Sequence, residues 1–324
     1  MTTPTYLGLD IAKRKFDAAL LDDGHTRHKQ FPNSPAGFTQ LHTWLRHYAR
    51  SHVHAALEAT GIYGDALALC LHQSGCRVSV INPARIKAFA QSELSRTKTD
   101  AVDAALIARF TAALQPAAWT PPPPEQRQLQ ALVRRLDAVH AMRHQEHNRL
   151  ELENAANLIT ASLRDHLAHL DHQIAQLQHA LRAHFQAQPA LARQRELLET
   201  IPGIGETTAT KLLAEIPHLR DYPSARQVAA FAGLTPRHRQ SGSSVHGQTR
   251  LSKIGNAHVR RALYLPAVVA MHHNPLLQTF AARLLAAGKP KMAVVGAVMR
   301  KLLHQAYGVL KHGTPFDPQH LAAH

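Results

Sequence analysis

Four carboxylates, Asp10, Glu58, Asp100 and Asp103, fall where a sheet edge could gather them. Asp10 closes the run Leu7-Gly8-Leu9-Asp10, and Glu58 closes Ala56-Leu57-Glu58. Both runs read as strands, and the order of elements around them sets the two strands side by side and parallel, so that their ends meet. Asp100 and Asp103 lie three apart, on one face of a helix that can cross that edge. Acids converging without cations between them repel one another, and a divalent metal is the natural neutraliser. Two Mg²⁺ ions roughly 3.5–4 Å apart can activate the attacking oxygen and stabilise the leaving oxygen of a phosphodiester; Mn²⁺ would serve the same oxygen donors. Singly, each acid has an ordinary explanation: a strand-end turn for Asp10, an N-cap for Asp100, a dipole contact for Asp103. The metal reading rests on the four occurring together at matching places.

Two further motifs could handle a phosphodiester. Ile201-Pro202-Gly203-Ile204-Gly205 joins two helical segments and reads as a helix-hairpin-helix. Gly203 and Gly205 would let backbone N–H groups approach a phosphate at a helix N-terminus. An ordinary glycine-capped helical turn is the competing reading. Downstream, Thr235-Pro236-Arg237-His238-Arg239-Gln240-Ser241-Gly242-Ser243-Ser244 reads as an exposed loop, with Arg250 and Lys253 following. A serine hydroxyl among such cations and near metal is a candidate nucleophile. Spacing does not choose among Ser241, Ser243 and Ser244, and a loop that merely grips phosphates has the same composition.

The elements that would position these groups alternate through the first third of the chain. Tyr6–Asp10, Phe16–Leu21 and Thr26–Phe31 read as strands, with Asp22-Asp23-Gly24 as a turn. Phe38–Tyr48 has helical spacing, Val53–Leu57 is a strand, and Tyr63–Leu71 a helix. Arg77–Ile81 is a strand, and Ile86–Gln91 and Asp100–Leu114 are helices. This β-β-β-α-β-α-β-α order is ribonuclease-H-like and predicts a mixed sheet with helices on both faces. Pro121 through Pro124 cannot continue a helix and form a stiff spacer. Beyond it, Leu129, Leu132, Leu136 and Val139, then Leu163, Leu167, Leu170, Ile174, Leu177 and Leu181, make a narrow apolar stripe. Such a stripe suits a coiled-coil arm. The expected organisation is an α/β catalytic domain over 1–115, a Pro-rich linker and coiled-coil arm over 116–190, and a mainly α-helical domain over 191–324.

Composition narrows the partner. The 324 residues carry Lys+Arg 37 against Asp+Glu 22, a formal +15, which is costly in a compact chain without a polyanion to meet it. Aromatic residues are only 5%, which argues against a base-stacking platform. Cys70 and Cys76 alone cannot build a zinc site and read as buried small hydrophobes in a reducing compartment. His166, His169 and His172 recur at three-residue steps, but no carboxylate spacing frames them, so they read as a solvated helix face. The opening residues do not read as a signal peptide and no apolar run reads as long enough to span a bilayer, so the cytoplasm is the expected compartment.

Taken with Leu9-Asp10-Ile11-Ala12-Lys13, Leu57-Glu58-Ala59-Thr60-Gly61, Val80-Ile81-Asn82-Pro83, Lys98-Thr99-Asp100-Ala101-Val102-Asp103-Ala104 and Phe231-Ala232-Gly233-Leu234-Thr235-Pro236, the motifs above give ordered blocks along nearly the whole chain. The chain resembles the insertion-sequence transposases with a RuvC-like DEDD domain and a separate C-terminal transposase domain, which act as bridge-RNA-guided DNA recombinases. The resemblance implies that Asp10, Glu58, Asp100 and Asp103 form a metal-binding tetrad and that Ser241 is the nucleophile, forming a transient phosphoserine link to DNA. It further implies double-stranded donor and target DNA, a structured non-coding guide RNA, and a dimer or tetramer in which one protomer's serine domain completes another's metal site. A metal-dependent nuclease or junction resolvase needs the tetrad but no serine. A non-catalytic nucleic-acid adaptor leaves the acids unexplained in so basic a chain. An actin-like sugar kinase would want glycine after the first aspartate, where Ile11-Ala12-Lys13-Arg14 stands.

Overall fold

The computed structural model describes residues 5–49, 52–59, 61, 63–93, 99–152, 157–241 and 245–319. Two compact units divide the chain, Met1–Pro121 and Pro122–His324.

The first unit opens with an antiparallel meander of β1 (Thr5–Ile11), β2 (Lys15–Asp22) and β3 (His25–Pro32). Asp23 and Gly24 turn β2 into β3 with φ of 46° and 77°, the left-handed backbone that a two-residue hairpin demands and Asp-Gly tolerates. Next, α1 (Pro35–Tyr48) starts where the Ser34 side chain accepts the Gly37 N–H, with Pro35 filling a first-turn position that needs no donor. Then come β4 (Val53–Glu58), α2 (Asp65–Gln73), β5 (Arg77–Ile81), α3 (Pro83–Ser92) and α4 (Asp100–Leu114). β4 runs parallel to β1 and β5 parallel to β4, giving the order β3-β2-β1-β4-β5. The mixed sheet with helices on both faces is therefore as expected.

Alternation along the strands splits the core in two. On one face Leu7, Leu9 and Leu57 pack with Phe38 and Leu41 of α1 and Leu67 and Leu71 of α2. On the other, Ala56 and Ile81 meet Leu106, Ile107 and Phe110 of α4. Gly8 lets α4 lie directly on β1, because a methyl group there would overlap the Ala104 carbonyl oxygen and the Ala108 amide. Asp10 is two residues further along that same strand face, and Asp100 is one turn before Ala104 on α4. The small residue at position 8 thus brings the start of α4 to the end of β1.

In the second unit, α5 (Pro124–Leu152) and α6 (Asn157–Ala187) pack antiparallel through Leu136, Val139, Leu170, Ile174 and Leu177, with Arg143 paired to Asp171 at the edge. His166, His169 and His172 are exposed on α6. Beyond them lie α7 (Pro189–Glu199), α8 (Glu206–Glu215), a 3₁₀ turn at Leu219–Asp221, and α9 (Ala225–Phe231). A two-stranded ribbon of β6 (Pro236–Ser241) and β7 (Val245–Leu251) precedes α10 (Ala257–His273), α11 (Pro275–Ala286) and α12 (Lys291–His312). Val294, Val298, Leu302 and Ala306 of α12 share one core with Leu212 of α8 and Leu263 and Ala267 of α10. The buried Glu215 carboxylate ties three elements, accepting from Arg134 of α5 at 2.8 and 3.0 Å and from the Asn256 side-chain amide at 3.0 Å. Asn256 in turn caps α10 by accepting the His258 N–H.

Two expectations need correcting. The segment read as an exposed Ser/Gly loop forms the β6–β7 ribbon, with Gly242, Ser243 and Ser244 lying outside the described residues. Residues 236–241 and 245–251 carry no apolar alternation in the sequence that would mark them as strands. Cys70 and Cys76 are free and half-buried rather than fully enclosed.

Candidate active site and nucleic-acid interface

Register assembles the acids of the first unit. The last parallel rung between β1 and β4 is Leu9↔Leu57, so Asp10 and Glu58 stand one residue beyond it on neighbouring strand ends. Thr99, not Asp100, caps α4: its hydroxyl accepts the Val102 N–H at 3.3 Å, leaving Asp100 and Asp103 in the first turn with their carboxylates released from capping. Burial, then the charges of Asp100, Asp103 and Asp17, push the half-buried Asp10 carboxyl above its ordinary pKa. The charges of Asp100 and Asp103 therefore reach Asp10, while Glu58 belongs to the same edge by register. Among the described residues no three acidic, histidine or cysteine side chains stand at ligating distance of a common point.

Two neighbours were not anticipated. Asp17 lies directly across from Asp10 in the β1–β2 register and is buried, receiving His28 Nε2 at 2.8 Å and Gln30 Nε2 at 3.1 Å. Lys15 donates from Nζ to Asp100 at 2.9 Å and reaches within 3.7 Å of Asp17. That hydrogen bond holds the Asp100 carboxyl below its ordinary pKa. An aspartate on the inward alternation of the otherwise apolar run Phe16–Leu21 was the available signal for Asp17. Oxygen donors of this kind suit a hard divalent cation, and the Lys15 ammonium already shows that the site draws positive charge.

The remaining candidates lie in the second unit. Ser241 ends β6 and pairs in register with Val245. Arg237 is directly opposite Arg250, both exposed, and a bulge separates Arg237 from Arg239. Lys253 follows the ribbon in a left-handed conformation, φ 55°. No Asp or Glu occurs anywhere in residues 236–251. Like charges directly opposite one another weaken a strand pair, so this ribbon is suited to a polyanion. In the α7–α8 turn, Gly203 has φ 103° and packs against α10, where an added Cβ would be 2.7 Å from the Ala270 Cβ. Glycine at 203 is thus required by the fold itself. Gly205 opens onto free space at the start of α8, beside Glu206, which pairs with Arg195 at 3.1 Å.

Comparison with known proteins finds two family profiles along the chain. A DEDD transposase profile of the IS110 type matches residues 7–152, and a profile described as the transposase IS116/IS110/IS902 family matches residues 195–282. The pilin gene-inverting protein of Moraxella bovis is 37% identical over 97% of this chain and 98% of its own length. The chain belongs to the IS116/IS110/IS902 transposase family. A pilin gene-inverting protein of Moraxella lacunata is similar to the same extent, 37% over 97% of the chain and 98% of its own length. The transposase for insertion sequence element IS1328 of Yersinia enterocolitica is 27% identical over 62% of this chain and 66% of its own. Membership makes this transposase an enzyme of DNA transposition and recombination with DNA as its substrate. Among the described residues no helix is long and apolar enough to cross a membrane.

Proposed function

We propose that this transposase cuts and rejoins DNA through a divalent-metal site on Asp10, Glu58, Asp100 and Asp103 and a covalent intermediate on Ser241. The observation that carries the proposal is the crowding of Asp10 by Asp100 and Asp103 inside a chain of formal charge +15. Acids gathered at one edge of a phosphate-binding protein oppose its substrate unless a cation intervenes. Mg²⁺, or Mn²⁺ in its place, would be held by those carboxylates and would supply charge stabilisation to the phosphodiester. The chain's own residues do the rest. Asp17, fixed by His28 and Gln30, supports the β1 end beside Asp10, and Lys15 neutralises Asp100 until a stronger cation does. Ser241 Oγ attacks phosphorus and loses its proton, and the departing strand's ester oxygen takes one up, so one phosphodiester is exchanged for another. Keeping the bond energy in a serine ester allows rejoining without an external energy source.

On the same reading Arg237, Arg239, Arg250 and Lys253 grip phosphates around the serine, and the Gly203–Gly205 turn works as a helix-hairpin-helix on the nucleic-acid backbone. The α5–α6 pair acts as a coiled-coil arm between a RuvC-like domain over 1–115 and a transposase domain over 191–324, with residues 116–190 as linker and arm. A structured non-coding RNA guides donor and target duplexes within a homo-oligomer, dimer or tetramer, in the cytoplasm at the nucleoid.

The test is Ser241→Ala. Incubation with cognate DNA and Mg²⁺, followed by denaturing electrophoresis, should show a protein–DNA adduct for the parent and for Ser243→Ala and Ser244→Ala. Neither adduct nor cut DNA should appear for Ser241→Ala. Cleavage to free ends by Ser241→Ala would make the enzyme a hydrolytic nuclease and sink the serine mechanism.

A further inference from the structure

Between α9 and α12 the second unit carries a cleft that none of the groups above uses. Ser224, Ala225 and Arg226, at the start of α9, line it together with Arg300, Lys301 and His304 of α12. Arg300 and Lys301 precede His304 by four and three residues, which places all three on one side of the helix. Among the described residues no carboxylate lines the cleft. Elsewhere in this unit Arg134, Arg143, Arg149 and Arg193 each hold an acid. Arg226, Arg300 and Lys301 make no ion pair among the described residues.

His304 reports the same imbalance from inside. Its Nε2 is buried and has no hydrogen-bond partner among the described residues. Burial, then Arg300, Lys301 and Arg226, lower its pKa to about 4, and all the charges acting on it are positive. The ring is therefore neutral near pH 7, and a neutral imidazole can present an N–H at Nε2. A buried polar atom without a partner is costly, as is a cluster of cations without a counter-charge. One anion with several acceptor oxygens, seated in the cleft, supplies the missing counter-charge. Guanidinium forks match the spacing of phosphate oxygens, which favours a phosphodiester over a compact halide-like ion.

We propose that this cleft seats a backbone phosphate of bound nucleic acid, with Arg226, Arg300 and Lys301 around its charge and the neutral His304 ring forming part of the wall behind it. The site is separate in sequence and element from the ribbon and from the α7–α8 turn. It rests on the reading that the chain grips nucleic acid, and it adds a place where that grip occurs.

Fluorescence anisotropy across a salt series, with duplex DNA in one arm and a structured RNA in the other, tests the assignment. The charge-removing pair Arg300→Gln/Lys301→Gln should bind several-fold more weakly, with the slope of log K against log[salt] reduced by about 1 in at least one arm. The arm affected identifies the source of the phosphate. The charge-keeping pair Arg300→Lys/Lys301→Arg should stay close to the parent. Parent-like affinity and slope for the Gln pair in both arms would overturn the site, as would equal loss in both double variants or a loss with unchanged slope. If the parent itself shows no salt-dependent binding, the underlying nucleic-acid reading falls too, and that result is distinct from failure of the cleft alone.

Discussion

Neutralising a carboxylate crowded by other carboxylates should relieve a folded protein, and this lets Asp10 separate stability from chemistry. Burial and the charges of Asp100, Asp103 and Asp17 disfavour its ionised form. Asp10→Asn keeps the shape and removes the charge, so its melting temperature should equal or exceed the parent's while cleavage in Mg²⁺ falls to background. Parent-like cleavage by this variant would remove Asp10 from the site. The placement of Asp10 and Glu58 at strand ends and of Asp100 and Asp103 in a first helical turn was legible because residue type and local pattern are both local properties. Lys15 and Asp17 were not, because their contacts with Asp100 and Asp10 exist only once β2 has paired with β1 and α4 has settled on the sheet.

At the scale of elements, Gly8 controls how closely α4 approaches β1. Gly8→Ala would drive a methyl into the Ala104 carbonyl and the Ala108 amide, backbone atoms that cannot rotate aside. The helix must shift, and over-packing of this kind costs about 1–3 kcal/mol, or more where backbone is the obstacle. Thermal melting should show a loss of several degrees, with cleavage reduced further because Asp100 and Asp103 travel with the helix. An unchanged melting temperature would mean that α4 is not held there by this contact. The strands and helices of the first unit were readable from apolar period and from the Asp22-Asp23-Gly24 turn, while the caps Ser34 and Thr99 emerged only in the structure. The β6–β7 ribbon was hidden for the opposite reason: strands built largely of Arg, His, Gln and Ser carry no apolar alternation, and the Gly242-Ser243-Ser244 stretch dominates the local signal.

For the whole molecule, the excess of cations sets how tightly nucleic acid is held. Binding should weaken steeply as salt rises, with log K falling by about 0.9 per neutralised phosphate for each decade of salt. A flat plot would reject nucleic acid as the principal ligand. The ribbon responds to salt in the opposite sense. Arg237 and Arg250 face one another across β6 and β7 with no acid in either strand, and dissolved ions screen that mutual repulsion as effectively as they screen phosphate. Salt that pulls the protein off its ligand thus steadies the empty ribbon. If the ribbon grips nucleic acid as proposed, then in dilute salt the polyanion would be the counter-charge that the two strands lack, and would become part of their secondary structure.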